Sequence, residues 1–200
     1  VAIASLFSRT RLCTTEHTTS NRKRQWKWYA PIESWMYGRY GHIICISKIA
    51  EEKLREYMGG AWTDRRSRRY SKITTVNNGV DVEAVRHATP DDVLLRAKAG
   101  RTAVVMVAGF REAKDQDTLV RAMTMLPDCH KLWLVGQGVR MDEVKALAEK
   151  LGVASRVRFW GLRTDVPRVL KSTDVVCMAS HWEGLSLSNI EGMSVGNPFM

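Results

Sequence analysis

Two carboxylates, Glu183 and Glu191, stand with seven residues between them in the stretch DVVCMASHWEGLSLSNIEGMSVGNP, residues 174–198. The stretch reads as a buried strand over Asp174 to Ala179, a polar loop from Ser180 to Ser186, and a helix opening near Ser188. One carboxylate accepts hydrogen bonds from a sugar diol. The first amides of a helix lack intrahelical acceptors, and its dipole favours negative charge, so the helix mouth suits a phosphate. Two acids flanking such a mouth suit a nucleotide sugar. Ser188-x-x-Glu191 also fits a capping box, in which Glu191 ties off its own helix; the two roles are compatible. Glu183 precedes Gly184 in a loop and has no helix to cap.

Elements of one kind position these acids. From Thr102 onward the chain alternates strand and helix: strand Thr102–Ala108, helix Asp115–Leu126, strand Lys131–Val135, helix Met141–Leu151, strand Arg156–Trp160, helix Val166–Lys171, then the strand and helix just described. Four such units in a row predict a parallel sheet with right-handed crossovers and helices on both faces. Ligands of open parallel sheets bind beyond the C-terminal strand ends. After the first strand comes Gly109-Phe110-Arg111-Glu112-Ala113-Lys114, where the Lys114 ammonium and free helix amides can share one diphosphate; alternatively Lys114 is a solvated lysine at a helix start. After the second comes Gly136-Gln137-Gly138. Position 141 is Met, so this is not a dinucleotide fingerprint. Gly161-Leu162-Arg163 follows the third. Asp115-Gln116-Asp117 opens a helix, which favours dipole-stabilising acids over a metal pair, and no His/Cys cluster has metal spacing. His181 either lines the same edge or hydrogen-bonds its own loop.

The totals fit this picture. An apolar fraction of 44% and a charged fraction of 26% are ordinary for a globular protein, and 200 residues allow one large domain or two small ones. No apolar run reaches the ~18 residues of a membrane span. The four cysteines are scattered; Cys45 and Cys177 fall in apolar runs and are expected as reduced core thiols of a cytosolic protein. An apolar run (VAIASLF) already in progress at residue 1, and a stop at Pro198-Phe199-Met200, predict an internal piece of a longer protein.

Charge is uneven. Residues 1–80 carry 15 Lys and Arg against 6 Asp and Glu, whereas residues 81–200 carry 16 against 15. The basic first part points to an acidic partner. Within it Arg9, Arg11, Arg22, Lys23, Arg24 and Lys27 interleave with Trp26, Trp28 and Tyr29. Such a run is usually a solvated face, and the aromatics favour contact with a membrane interface or polyanion. Pro31–Tyr40 is expected as a short helix and His42–Ser47 as a strand. Ser47 should cap a helix carrying Ile49, Leu54 and Tyr57/Met58 on one face and ending at Gly59-Gly60. An exposed loop with four arginines follows, then a strand over Ile73–Val76 and a turn at Asn77-Asn78-Gly79.

The setting S-x-W-E-G-L-x-L-x-x-x-E-G-M-x-x-G-x-P around Glu183 and Glu191 resembles the donor-site signature of family 4 glycosyltransferases of the GT-B fold. The resemblance covers nearly the whole chain. It implies an α/β fold of two Rossmann-like domains, with 1–79 the end of an N-terminal, acceptor-side domain and 80–200 a truncated C-terminal donor-nucleotide domain. Thr15-Glu16-His17-Thr18 matches the family's N-domain loop, which places His17 at the donor sugar. Glu183, Gly184, Leu185, Ser186 and Glu191 would hold the sugar and ribose. Leu162 and Arg163 would recognise the base through their main chain. Lys114 matches the lysine of the family's G-R-L-x-x-x-K-G segment, but Gly109 stands where that segment has its phosphate-binding arginine, and Arg111 is a candidate replacement. The implied activity is retaining transfer of a sugar from a nucleotide-diphosphate sugar to a glycan or polyprenyl-phosphate-linked acceptor in cell-surface polysaccharide biosynthesis. The implied enzyme has His17 and Glu183 at the reacting centre, needs no metal or other cofactor, and works in the cytoplasm with peripheral contact to anionic membrane. A sugar-nucleotide epimerase of the same fold shares the nucleotide site and remains an alternative. A basic nucleic-acid-binding protein ranks below both, because it leaves the second part of the chain unexplained.

Overall fold

The computed structural model describes residues 10–17, 19, 24, 26 and 28–200. Thr18 and the basic residues Arg9, Arg22, Lys23 and Lys27, together with the opening apolar run, lie outside the described residues. The chain divides into two compact units: residues up to Asn78 together with Glu183–Ser186, and Gly79–Trp182 together with Leu187–Met200.

In the first unit, strands β1 (Cys13–Glu16), β2 (His42–Cys45) and β3 (Ile73–Thr75) form a parallel sheet in that order, crossed over by helices α1 (Tyr29–Arg39) and α2 (Lys48–Met58). α1 starts two residues earlier than Pro31 suggests. Ser47 does cap α2: its Oγ accepts from the Ala50 N–H at 3.2 Å. Gly59, at φ 60°, ends it. The core is Ile43, Cys45, Ala50, Leu54, Trp62 and Ile73. Two expectations are corrected here. Ile49 points outward, because Ala50 and Leu54 take the inner face of α2. Trp62, expected in an exposed loop, is fully buried, its Nε1 donating to Ser34 Oγ at 2.9 Å.

In the second unit β4 (Thr102–Val107), β5 (His130–Val135), β6 (Val157–Gly161) and β7 (Val175–Val176) make a parallel sheet in the order β6-β5-β4-β7. Alternation within the strands splits the core. Val104, Met106, Leu132 and Leu134 pack under α5 (Gln116–Ala122) and α6 (Met141–Lys150). Ala103, Val105, Trp133 and Val135 face the other way, with Leu94, Val169 and Leu170 from α4 (Asp92–Lys98) and α7 (Val166–Lys171). Burial on both faces is what a parallel sheet requires. The helices α3 (Val82–Arg86) and α4 were not anticipated, although Asp81 and Asp91 each cap one by accepting backbone N–H groups. β7 is shorter than the run 174–179 suggests, and α8 (Leu187–Ser194) starts one residue before Ser188. Ser188 therefore lies inside α8, so the capping box with Glu191 does not form. Helix α8 sits directly on β7: a Cβ on Gly192 would come within 2.8 Å of Val176 Cγ1 and the Phe199 ring.

Candidate functional site

At the C-terminal ends of β4, β5 and β6 lies a cavity of 360 Å³. It is lined by Val107, Ala108, Gly109 and Arg111 after β4, Val135, Gly136 and Gln137 after β5, Leu162, Arg163 and Val166 after β6, and Ser188 of α8.

Glycine makes the upper rim. Gly136 has φ 143° and Gly138 φ 159°, and a Cβ on either would fall 2.1 Å from the Ala108 oxygen or 2.3 Å from the Phe110 oxygen. With hydrogen there instead, the two loops zip together: Phe110 N–H donates to Gln137 O at 3.0 Å and Arg140 N–H to Phe110 O at 3.3 Å. The G-x-G thus serves close backbone approach, not a dinucleotide. On the next side, Phe159 pairs with Leu134 and Gly161 with Val135, so Trp160 is an extra residue in the ladder. This bulge and Gly161, at φ 67°, re-aim the chain and present Leu162 and Arg163 at the cavity.

The Arg163 side chain is fully engaged elsewhere. Its guanidinium donates to Asp165 Oδ1 and Oδ2, each at 2.7 Å, and to Asp91 Oδ2 at 2.6 Å. These bonds raise its own pKa and hold both carboxyls below the ordinary range. Asp91 Oδ1 accepts from Val93 and Leu94, and the Asp91 N–H donates to Ser172 Oγ at 2.8 Å. Arg163 lines the cavity, and its side chain ties the frame behind it.

The Arg111 side chain lies beside Gly109. Arg111 Nε lies 3.8 Å from where a Gly109 Cβ would be. The Gly109 carbonyl accepts from Gln116 Nε2 at 3.1 Å, and Gln116 is buried at the start of α5. Lys114 closes a 3-10 turn over Glu112–Lys114, its N–H donating to Arg111 O at 2.9 Å. Asp115 next turns the chain through the left-handed region at φ 41°. Its carboxylate accepts from Thr118 Oγ1 at 2.6 Å and lies 3.6 Å from His181 Nε2, while Asp117 pairs with Arg140 at 2.8 Å. Both acids of the D-x-D segment thus have protein partners. The His181 N–H donates to Ala113 O at 2.9 Å, which ties the loop after β7 to the one after β4.

Glu191 lies on α8 one turn beyond Ser188. It is half-buried, and burial pushes its carboxyl pKa up. A carboxylate desolvated this way gains most from a hydroxyl donor.

In the first unit, His17 follows β1 directly and is exposed. Glu16 before it is buried, accepting from Arg24 at 2.8 Å and from the Tyr37 hydroxyl at 2.5 Å. Glu183–Ser186 belong to this unit. A Cβ on Gly184 would lie 3.2 Å from the His17 oxygen and 3.5 Å from Ile46 Cδ1, and Asn78 Nδ2 donates to Leu185 O at 2.8 Å. The C-terminal ends of β1, β2 and β3 therefore gather His17, Gly184 and Leu185. Asp91, Asp165, Gln116, Gln137 and Asn78 were missed from the sequence. Asp91 and Asn78 reach partners 72 and 107 positions away, so no local spacing reveals them; Asp165 and Gln116 bond partners in their own loops, where the course of the turn decides the contact.

Parallel sheets with glycine-shaped loops and a cavity at the strand ends define an open α/β protein of the type that takes its ligands at that edge. The sequence comparisons are more specific. Residues 93–199 match the model of the glycosyl transferases group 1, and residues 1–84 that of glycosyltransferase family 4. The chain belongs to the group 1, family 4 glycosyltransferases. It is 29% identical over 183 residues to a putative glycosyltransferase of Bacillus subtilis, EpsD, covering 88% of this chain and 46% of that protein. It is 34% identical over 156 residues to the lipopolysaccharide core biosynthesis glycosyltransferase LpsE of Rhizobium meliloti, covering 78% and 42%. The chain thus spans about half the length of these curated relatives. The fold is that of Anabaena HepE, solved with UDP and glucose, at a TM-score of 0.80 and 20% identity over 99% of this chain and 54% of that one. This is the GT-B fold. Among the described residues no helix is long and apolar enough to cross a membrane.

Proposed function

We propose that the complete protein is a retaining glycosyltransferase. It moves a sugar from a nucleoside-diphosphate sugar to a hydroxyl of a glycan or polyprenyl-phosphate-linked acceptor, in the building of a cell-surface polysaccharide. Family membership supports the reaction class, and the lipopolysaccharide role printed for LpsE supports the product class. The observation that carries the donor assignment is the strand-end cavity, with Arg111 beside Gly109 and Ser188 on its wall.

In this reading the base lies against the Leu162–Arg163 main chain and Glu191 takes the ribose diol. Arg111, Lys114 and the first amides of α8 meet the negative charge that gathers on the leaving diphosphate. Stabilising developing charge with groups already in place is the largest lever such a site has. Glu183 holds the transferred sugar and His17 faces the reacting carbon. The enzyme works at the cytoplasmic face of a membrane, where a lipid-linked acceptor is reached without leaving the bilayer.

The full-length protein is to be assayed with UDP-, GDP- and ADP-sugars by calorimetry, then for transfer. Glu183→Ala and Lys114→Ala should each lower turnover by about 100-fold or more while the fold survives. Unchanged turnover in either variant removes that residue from the mechanism. Donor incubated without acceptor separates transfer from epimerisation, since an epimerase converts the donor alone.

A further inference from the structure

The exit of β1 is fastened by a buried ionic cluster that the reaction described above does not use. Glu16 accepts from Arg24 Nη2 at 2.8 Å and from the Tyr37 hydroxyl at 2.5 Å. The same Arg24 nitrogen donates to Glu33 Oε1 at 3.4 Å and to Tyr37 Oη at 3.3 Å, and the guanidinium lies 5.2 Å over the Tyr57 ring. Glu16 comes from the end of β1, Glu33 and Tyr37 from α1, Tyr57 from α2, and Arg24 from the chain between β1 and α1. Burial, then the neighbouring carboxylates, push both phenols up, Tyr57 to about 12. Both therefore stay protonated at neutral pH and remain donors to the acids.

Stability does not account for such a cluster. Two carboxylates share one guanidinium, and the side chains of Glu16, Arg24 and Glu33 are only 6%, 10% and 8% exposed. The cost of desolvating a buried ion pair commonly cancels its attraction, and apolar side chains of like volume are often as stable. What the ions supply is direction, since a planar guanidinium accepts its carboxylates at few positions. The position they fix is that of His17. Successive strand residues face opposite sides, so the inward Glu16 turns His17 outward, where it is exposed. The Glu16 carbonyl accepts from the Ile46 N–H at 3.2 Å, and a Cβ on Gly184 would lie 3.2 Å from the His17 oxygen. Arg24, eight residues on from Glu16, returns to the same strand end and locks it from the side-chain face.

We propose that Glu16 and Arg24 are positioning residues for sugar transfer: their buried pair sets the exit of β1 so that the His17 imidazole is held at the reacting centre. This rests on the reading of His17 as a residue of the transfer site, and adds what places it there.

The test uses the full-length protein carrying Glu16→Gln or Arg24→Gln, each alone and combined with His17→Ala. Transfer kinetics and calorimetric donor affinity are measured, together with the His17 ring signal in NMR spectra, identified by its loss in His17→Ala. Each single variant should lower kcat by about tenfold or more while donor KM and donor affinity stay within about twofold. With His17→Ala already present, neither change should lower kcat further, because the pair acts through that ring. Arg24→Lys keeps the charge without the planar fork and should recover part of the loss. The His17 signal should split or broaden in both Gln variants as the ring samples several positions. Tyr37→Phe removes one hydroxyl and leaves the ion pair, so it should fold and shift the same signal by less, which serves if a Gln variant fails to fold. Native kcat in both Gln variants, or a His17 signal unchanged in them and in Tyr37→Phe, overturns the proposal. So does an equal fall in kcat with and without His17, the mark of a general loss of structure. Native turnover in His17→Ala would instead remove His17 from the transfer site, and the ring signal would still decide whether the pair holds it.

Discussion

Arg163 bonds Asp91 at 2.6 Å across 72 residues of sequence. The pair fastens the loop after β6 to the start of α4. Both Asp91 and Asp165 have their pKa lowered, chiefly by hydrogen bonds from Arg163. A carboxyl with a depressed folded pKa contributes stability above its unfolded pKa, near 4, and loses it as pH falls through the folded value. Arg163→Gln should therefore lower Tm at pH 7 and flatten the acid-induced loss of stability below about pH 4. Thermal unfolding across that range checks both. Nucleotide affinity should fall too, because the Leu162–Arg163 edge loses its anchor.

The closeness of Arg111 to Gly109 makes a rescue experiment possible. Arg111→Ala should weaken nucleotide-diphosphate binding by about 10- to 100-fold, the range of a charge-assisted hydrogen bond. Gly109→Arg in that background should recover part of the loss, since the new side chain enters the space Arg111 vacates. Calorimetry with a nucleoside diphosphate reads both. No recovery would mean that Arg111 does more than supply a charge beside Gly109.

Glycine at 136 and at 152 should respond differently. Gly136→Ala places a methyl 2.1 Å from the Ala108 oxygen, whereas nothing lies within 4 Å of a Cβ at Gly152. Gly152→Ala should cost only the left-handed backbone penalty, about 1–2 kcal/mol. Gly136→Ala should cost more than that and open the cavity rim as well. Denaturant midpoints compare the stabilities, and nucleotide affinity should fall only for Gly136→Ala.

Glu191 is half-buried, and its carboxyl is desolvated. Its raised pKa means the ionised form is penalised in the folded state, so the penalty is full above the folded pKa and fades as pH falls toward the unfolded value. Glu191→Gln should raise Tm at pH 7 and change it little near pH 4. It should also weaken nucleotide binding by roughly tenfold if the carboxylate accepts from the ribose. Nucleotide binding by the native protein should weaken on acidification through the raised pKa.

Much of this was legible from the chain. Helix Val166–Lys171 falls where Pro and apolar spacing put it, and Gly136-Gln137-Gly138 turns between a strand and a helix as expected. Local rules reach that far because a turn or an amphipathic stripe is written in neighbouring residues. They failed at α3 and α4, whose caps Asp81 and Asp91 sit in a stretch with weak apolar periodicity. They failed again at Ser188-x-x-Glu191, since a capping serine and a serine in the first turn look alike until the first helical residue is known. Trp62 looked like loop surface because its arginine-rich neighbours outweighed it.

By itself the sequence determined the order of strands and helices, the parallel sheets that order implies, and the family whose spacing Glu183 and Glu191 share. Tertiary structure alone decided that Arg163 is spent on Asp91 and Asp165, that Arg111 lies beside Gly109, that Gly184 lies against His17, and that Trp35 of α1 turns outward. The first set follows from interactions between residues a few positions apart. The second depends on the exact course of the loops around Arg111 and Arg163 and on contacts between residues far apart in the chain, such as Arg163 and Asp91, which packing fixes only after the chain has folded.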